Sequence, residues 1–354
     1  MCVIINSNFK TTDLKISILS TSDDLEKEAK AFDERIEERT KAGFIPDVRR
    51  AVKCEYFYKS FFRDPYLIKL FLQEEINYFL EMLKKYSYPG ARILDVGCGS
   101  GYTSLELARS GYHVTGIDIS SKVIDVAKKT LESNPFKDGF GSLKYHVSSF
   151  DEFDGKFDVV LFCGVIHHIR NPEKTILRAL DMLNPTGLLM CEEPSHERWR
   201  KQDAAQVALI RSLLSLTGNW YETSLGEDLL EQENFPEYID DVYTEYVSER
   251  DKDEKNGQSP NDNSSNGRQI LEVLRKHFDE LDYTLGVSFI YRMLGGLRGE
   301  DNQIQKIASL LTTYDKYCVE NGFMEPNRFY YIGQKNSKAN INPIYFLYLF
   351  HTPY

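Results

Sequence analysis

The stretch Arg92-Ile93-Leu94-Asp95-Val96-Gly97-Cys98-Gly99-Ser100-Gly101-Tyr102 decides the fold. Ile93, Leu94 and Val96 read as a short buried strand, and three glycines at alternate positions follow it at once. Glycine accepts the left-handed backbone of a tight turn and lets a ligand approach the main chain. The residues after the glycines read as a helix from about Tyr102 to Arg109, stopped by Gly111. His113–Asp118 is then a second strand, and its last residue, Asp118, lies 21 positions after Gly97. A strand-end carboxylate at that distance can accept hydrogen bonds from both hydroxyls of a ribose. The spacing is G-x-G-x-G, not G-x-G-x-x-G, which disfavours a pyrophosphate cradle at the helix N-terminus.

Reading outward, Ser120 or Ser121 caps a helix that puts Val123, Ile124, Ala127 and Leu131 on one face. Leu143–Val147 alternates like a strand, and Phe157–Phe162 is a buried strand. Asn171-Pro172 opens a helix to about Leu183, Asn184-Pro185-Thr186-Gly187 is a turn, and Leu188–Cys191 is a fifth strand. Five strands alternating with helices predict a doubly wound, mostly parallel α/β sheet whose functional edge is the carboxyl ends of its strands. Before the core, apolar residues from Tyr66 to Leu83 recur at helical spacing until Pro89-Gly90 breaks the pattern. After it, residues 251–257 and 261–267 read as flexible loop. A helix at 269–278, a strand at 281–287, a helix at 303–320 and a strand at 328–333 close the pattern. His113 and His146 lie within strands and read as structural.

These residues resemble the class I S-adenosylmethionine-dependent methyltransferases. Ile93–Gly101 reads as that family's first motif without a mismatch, and Val114–Ser120 looks like its second. Phe157–Phe162 with Gly164-Val165-Ile166-His167-His168-Ile169 looks like its fourth strand and the loop after it. The resemblance implies a seven-stranded Rossmann-like sheet. Residues 1–88 would be an N-terminal helical or lid segment and 89–195 the cofactor-binding core. Residues 196–268 would be a helical cap inserted after strand 5, 269–335 strands 6 and 7, and 336–354 an aromatic tail. It implies S-adenosyl-L-methionine as cofactor, held by Asp95, Gly97, Cys98, Gly99, Gly101, Asp118, Ile119, Ser149, Phe150 and Cys163. Ser149 departs from the aspartate common at that position and offers the adenine an uncharged partner. His167 or His196 is the candidate general base, because histidine titrates in the useful range; His168 reads as structural, bonded under the loop.

The loop after strand four lacks the Asn/Asp-Pro-Pro-aromatic motif of amino-methylating nucleic-acid enzymes, a Pro-Cys nucleophile, and the paired glutamates of protein-arginine enzymes. It looks like the small-molecule branch, with methylation at oxygen as the first reading. A lipid-like or quinone-like acceptor at a membrane surface, a cofactor-binding protein without transfer activity, and an RNA or protein modifier are the alternatives. Aromatic residues at 199, 220, 221, 238, 243 and 246 read equally as acceptor walls or as the cap's own core. The chain has 354 residues with a formal charge of −11. Much of that charge lies in 196–268, which speaks against nucleic acid or another polyanion at the mouth of the site. The six cysteines have no paired spacing, so no metal site or disulfide framework is expected, and reduced thiols in a cytoplasm are the plain reading. No run is long enough for a membrane span or a signal peptide. The C-terminal aromatic run, Ile341–Phe350, reads as core or as a homodimer contact.

Overall fold

A computed structural model describes residues 22–55, 61–231, 233–248 and 259–336. The loop expected at 251–257 and the aromatic tail from 337 onward lie outside the described residues. Seven strands form one sheet: β1 Arg92–Val96, β2 His113–Asp118, β3 Ser142–Val147, β4 Phe157–Cys163, β5 Leu183–Pro194, β6 Phe278–Leu285 and β7 Arg328–Lys335. Their order is β3-β2-β1-β4-β5-β7-β6. β1 to β5 pair in parallel, and β7 runs antiparallel between β5 and β6. The strand order reverses between β1 and β4, and that switch point opens the crevice in which such sheets bind ligands.

The helices are α1 Ser22–Lys41, α2 Pro65–Ile68, α3 Glu74–Tyr86, α4 Tyr102–Arg109, α5 Ser121–Glu132, α6 Pro172–Met182, α7 Lys201–Leu216, α8 Leu225–Asp228, α9 Phe235–Ser248, α10 Gly267–His277 and α11 Asp301–Glu320. Both faces of the sheet are covered, so its strands are apolar on both sides. Ile93, Val159, Leu161, Leu188 and Met190 pack with Phe79 of α3, Leu105 of α4 and Ile124 of α5. Their neighbours Leu94, Val160, Phe162, Leu189 and Cys191 pack on the opposite face with Ile176 of α6 and Ile270 of α10. Ser120 caps α5 by accepting from the Val123 N–H at 3.1 Å, and Asn171 caps α6 by accepting from the Lys174 N–H at 3.1 Å.

Three elements differ from the expectation. The helix expected over 66–83 is interrupted: Lys69–Gln73 is a π-helical segment between α2 and α3. Such widened turns re-aim side chains, and here Phe71, Leu72 and Glu75 line the central cavity. The turn at 184–187 falls inside β5, whose pairing jumps from Phe157↔Leu183 to Val159↔Leu188. β6 begins at Phe278 because α10 ends at His277 and runs into the strand directly.

The cap is built from two pieces of chain. α7, α8 and α9 share one apolar core with Leu67 of α2, with Phe289–Leu297 and with α11. The expected insertion at 196–268 is therefore only part of it. Residues assigned to sheet completion supply the rest, including all of α11.

Candidate active site

A cavity of about 520 Å³ opens at the carboxyl ends of the parallel strands, lined by Val96 of β1, Asp118 of β2, Cys163 of β4 and Glu192 of β5. Gly97, Gly99, Asp118, Ile119, Ser149, Phe150 and Cys163, all expected cofactor contacts, line it. Gly97 has φ +64°, and a Cβ there would come within 2.6 Å of Val165 Cγ2. Gly99 has φ +53°, and its missing Cβ would point into open space. The loop is thus packed from behind at Gly97 and bare at Gly99.

Asp118 Oδ2 accepts the Gly99 N–H at 3.0 Å and Oδ1 accepts the Ser120 N–H at 2.9 Å. Burial pushes its pKa up, although these backbone N–H groups oppose the rise. Further donors that favour the carboxylate form suit this site, and the vicinal hydroxyls of a ribose are such donors. Ser149 Oγ donates to Glu152 at 3.1 Å, so the serine that replaces an aspartate is itself held. Phe150 stands edge-on to Phe162, ring centroids 5.4 Å apart. The residues present fit an adenosyl cofactor: a bare loop, a buried carboxylate that could take a ribose and an apolar slot that could take an adenine.

Three expected contacts lie behind the lining, each for a packing reason. Asp95 is buried, accepts from Ser104 Oγ at 2.5 Å, and has its pKa pushed up to about 7 by burial. Cys98 is buried against Gly116, and burial holds its thiol well above the usual range, so it is no nucleophile. At Gly101 a Cβ would meet the Tyr145 hydroxyl at 2.2 Å, so this glycine makes room for a side chain. His196 is also outside the lining. It is buried at the end of β5, with Nδ1 bonded to Asn327 Oδ1.

His167 does line the cavity, from a 3₁₀ turn at Ile166–His168 just past β4. Glu193 fixes it. This fully buried carboxylate accepts the backbone N–H groups of Val165, Ile166 and His167 at 3.0, 2.8 and 3.2 Å, and it bonds His167 Nδ1 at 2.8 Å. One side chain of β5 thus sets both the loop after β4 and the imidazole, leaving Nε2 outside that bond. His168 is held from α1: its Nδ1 lies 3.1 Å from Glu28 and 3.1 Å from Ser259 Oγ. Burial alone lowers its pKa, but the Glu28 bond and the charges of Asp262, Glu28 and Glu193 outweigh it and raise it.

Asp262 brings a carboxylate 3.7 Å from His167 Nε2. The ligand atoms of His167, His168 and Asp262 lie within 4.8 Å of one another, close enough to share a metal ion. Sequence spacing gave no such set, because Asp262 arrives from almost 100 residues away.

The cavity's aromatic walls are Phe32, Phe61, Phe62, Phe71, Tyr102, Phe150 and Tyr291. Those expected from the insertion are absent from the lining. Trp220 and Tyr246 are fully buried in the cap core, and Trp199 stacks on Tyr246 at 4.0 Å. Of the described residues in 196–268, only Asn261 lines the cavity. Sequence reading missed Glu75, Glu193 and Arg328, and placed α1 only within an N-terminal helical or lid segment. Its available signal was charge within apolar runs: Glu192-Glu193 ends a buried strand, where an ionised residue needs a partner.

Residues 67–226 match a family model described as a methyltransferase domain. A ubiquinone biosynthesis O-methyltransferase of Aromatoleum aromaticum is 37% identical over 102 residues, 28% of this chain and 42% of that protein. A mitochondrial ubiquinone biosynthesis O-methyltransferase of Schizosaccharomyces pombe is 31% identical over 127 residues, 35% of this chain and 46% of that protein. The chain spans less than half the length of these curated relatives. Among solved structures, a cyclopropane synthase from Mycobacterium tuberculosis superimposes with TM-score 0.47 at 13% identity, over 88% of this chain and 98% of its own. The methyltransferase domain matched by residues 67–226 thus spans the chain from β1 through β5, with the glycine loop, Asp118 and His167 inside it.

Proposed function

We propose that the protein transfers a methyl group from S-adenosylmethionine to an oxygen of a small-molecule acceptor, with His167 receiving the acceptor's proton. The observation that carries this reading is the continuity of one cavity from Asp118 and the glycine loop to His167. The bound cofactor supplies an electrophilic methyl group on a sulfonium. The chain's residues do the rest. Gly97 and Gly99 would seat the amino-acid end, Asp118 the ribose, and Ile119 with Phe150 the adenine. Cys163 and Gly164 would border the reacting centre, and His167, held by Glu193, takes the proton. Phe61, Phe62, Phe71 and Tyr102 exclude water from the acceptor side.

The names of the relatives favour oxygen as the methylated atom and keep a quinone-like acceptor as the second reading. No described helix is long and apolar enough to cross a membrane, so such an acceptor would be met at a surface. The test is release of S-adenosylhomocysteine in the presence of hydroxyl-bearing acceptors of increasing apolar length. Acceptor-dependent release supports transfer. Binding of the cofactor without release from any acceptor leaves the alternative of a non-catalytic binder.

A further inference from the structure

Beyond the cofactor half, the cavity runs toward the ends of β5 and β7, and there it holds three charged side chains. Arg328 Nη1 lies 2.6 Å from Glu192 Oε1 and 3.8 Å from Glu75 Oε2. The guanidinium is sandwiched by rings, its Cζ 5.5 Å from the Phe71 centroid and 4.9 Å from that of Tyr291. All five residues line the cavity. Glu75 is 9% exposed, and its carboxylate makes no hydrogen bond among the described residues. Arg328 Nε is also without a hydrogen-bond partner among them. Burying polar groups without partners is costly, so this corner is built for a ligand that supplies them.

Its position assigns the ligand. The cofactor contacts lie over β1, β2 and β4, whereas this corner lies one and two strands further along the sheet. We infer that Glu75 and Arg328 are the specificity-determining residues of the acceptor subsite, taking a ring-bearing acceptor whose head group donates a hydrogen bond and carries no negative charge. This rests on the methyltransferase reading above. Charge decides against an anion. Two carboxylates face one guanidinium, and that guanidinium is already engaged by Glu192. A carboxylate or phosphate head group would sit beside Glu75, and the guanidinium that faces it is held by Glu192. Burial also pushes the Glu75 pKa up, against the opposing charge of Arg328, so a donor that stabilises its ionised form relieves that corner.

The test uses three matched probes on the full chain: benzyl alcohol, benzylamine and benzoate, titrated with and without saturating S-adenosylhomocysteine. The alcohol or the amine is expected to bind at least about tenfold tighter than benzoate, the factor one net hydrogen bond supplies; the arm that binds tells hydroxyl from amine. Glu75→Met keeps the volume and removes the buried carboxyl, a change that cores tolerate. It is expected to bring the preference below about twofold while S-adenosylhomocysteine affinity and Tm are kept. Benzoate binding as tightly as the donor probes, absence of saturable donor binding, or a preference that survives Glu75→Met overturns the inference. Failure of S-adenosylhomocysteine to bind overturns the methyltransferase reading instead, and the probe arms without it still decide this one.

Discussion

Asp118 and Glu193 are both carboxylates that accept backbone N–H groups at the carboxyl edge of the sheet, and their geometry separates their tasks. Asp118 borders the cavity and ties Gly99 to Ser120. Asp118→Ala is expected to weaken S-adenosylhomocysteine binding at least about tenfold, since the charge-assisted bonds proposed to a ribose would be lost. Unchanged affinity by calorimetry would remove the ribose assignment. Glu193 stands behind His167 and acts through it, as a positioning residue. Glu193→Gln keeps the volume but turns one acceptor into a donor, which faces the N–H groups of the loop. It is expected to lower kcat at least about tenfold with acceptor KM and S-adenosylhomocysteine affinity held within about twofold. A change in KM alone would mark Glu193 as a shaper of the pocket and not of the imidazole.

Between elements, one buried polar joint sets Asp47, in the segment after α1, against α4. Arg109 of α4 donates to both Asp47 oxygens at 2.8 Å, and Arg50 Nε adds a third bond at 2.5 Å. Burial by itself raises the Asp47 pKa, but these partners outweigh it and bring it from 3.8 down to about 2. The unfolded chain therefore binds the proton more tightly than the folded one. The contribution is complete above about pH 4 and is lost as pH falls toward 2. Asp47→Asn is expected to cost about 1.5–3 kcal/mol near neutral pH, because Arg109 loses one of its two carboxylate partners and keeps Glu106. Denaturant melts across pH check it: the difference from the parent should shrink between pH 4 and 2, and a constant difference contradicts the pairing. The same elements explain what could be read in advance. The core from β1 to β5 was legible because each strand is apolar on both faces and each cap is local, as at Ser120 and Asn171. α1 was not. Its apolar residues are few, and its seat depends on distant partners: Asp33 accepts from Ser120 Oγ and the Lys122 N–H of α5. The two-part cap was hidden for a similar reason. Trp220 fills the space where Gly296 lacks a Cβ, a fit between residues 76 positions apart.

Across the whole molecule, the cavity is enclosed by parts that carry no family signature. α1 contributes Leu25, Glu28, Phe32, Arg35, Ile36 and Arg39 to the lining. Glu28 also accepts from the Asn261 N–H at 3.1 Å and from Ser259 Oγ, while the Ser265 N–H donates to His167 O at 3.1 Å. The segment at 259–265 therefore fastens α1 and the His167 loop together. Ligand bound in the cavity beneath this fastening should hold it shut. At S-adenosylhomocysteine concentrations of 100 Kd, a stabilisation of about 2.7 kcal/mol is expected. Amide exchange should slow first in α1 and 259–266; protection confined to the glycine loop would show that α1 is not part of the enclosure. Methyl transfer with His167 as proton acceptor is tested most directly by one comparison: acceptor-dependent release of S-adenosylhomocysteine by the parent protein and by His167→Ala. The predicted result is release by the parent and a loss of at least about 100-fold in kcat for the variant, with S-adenosylhomocysteine affinity unchanged. Equal turnover by the two proteins would contradict it.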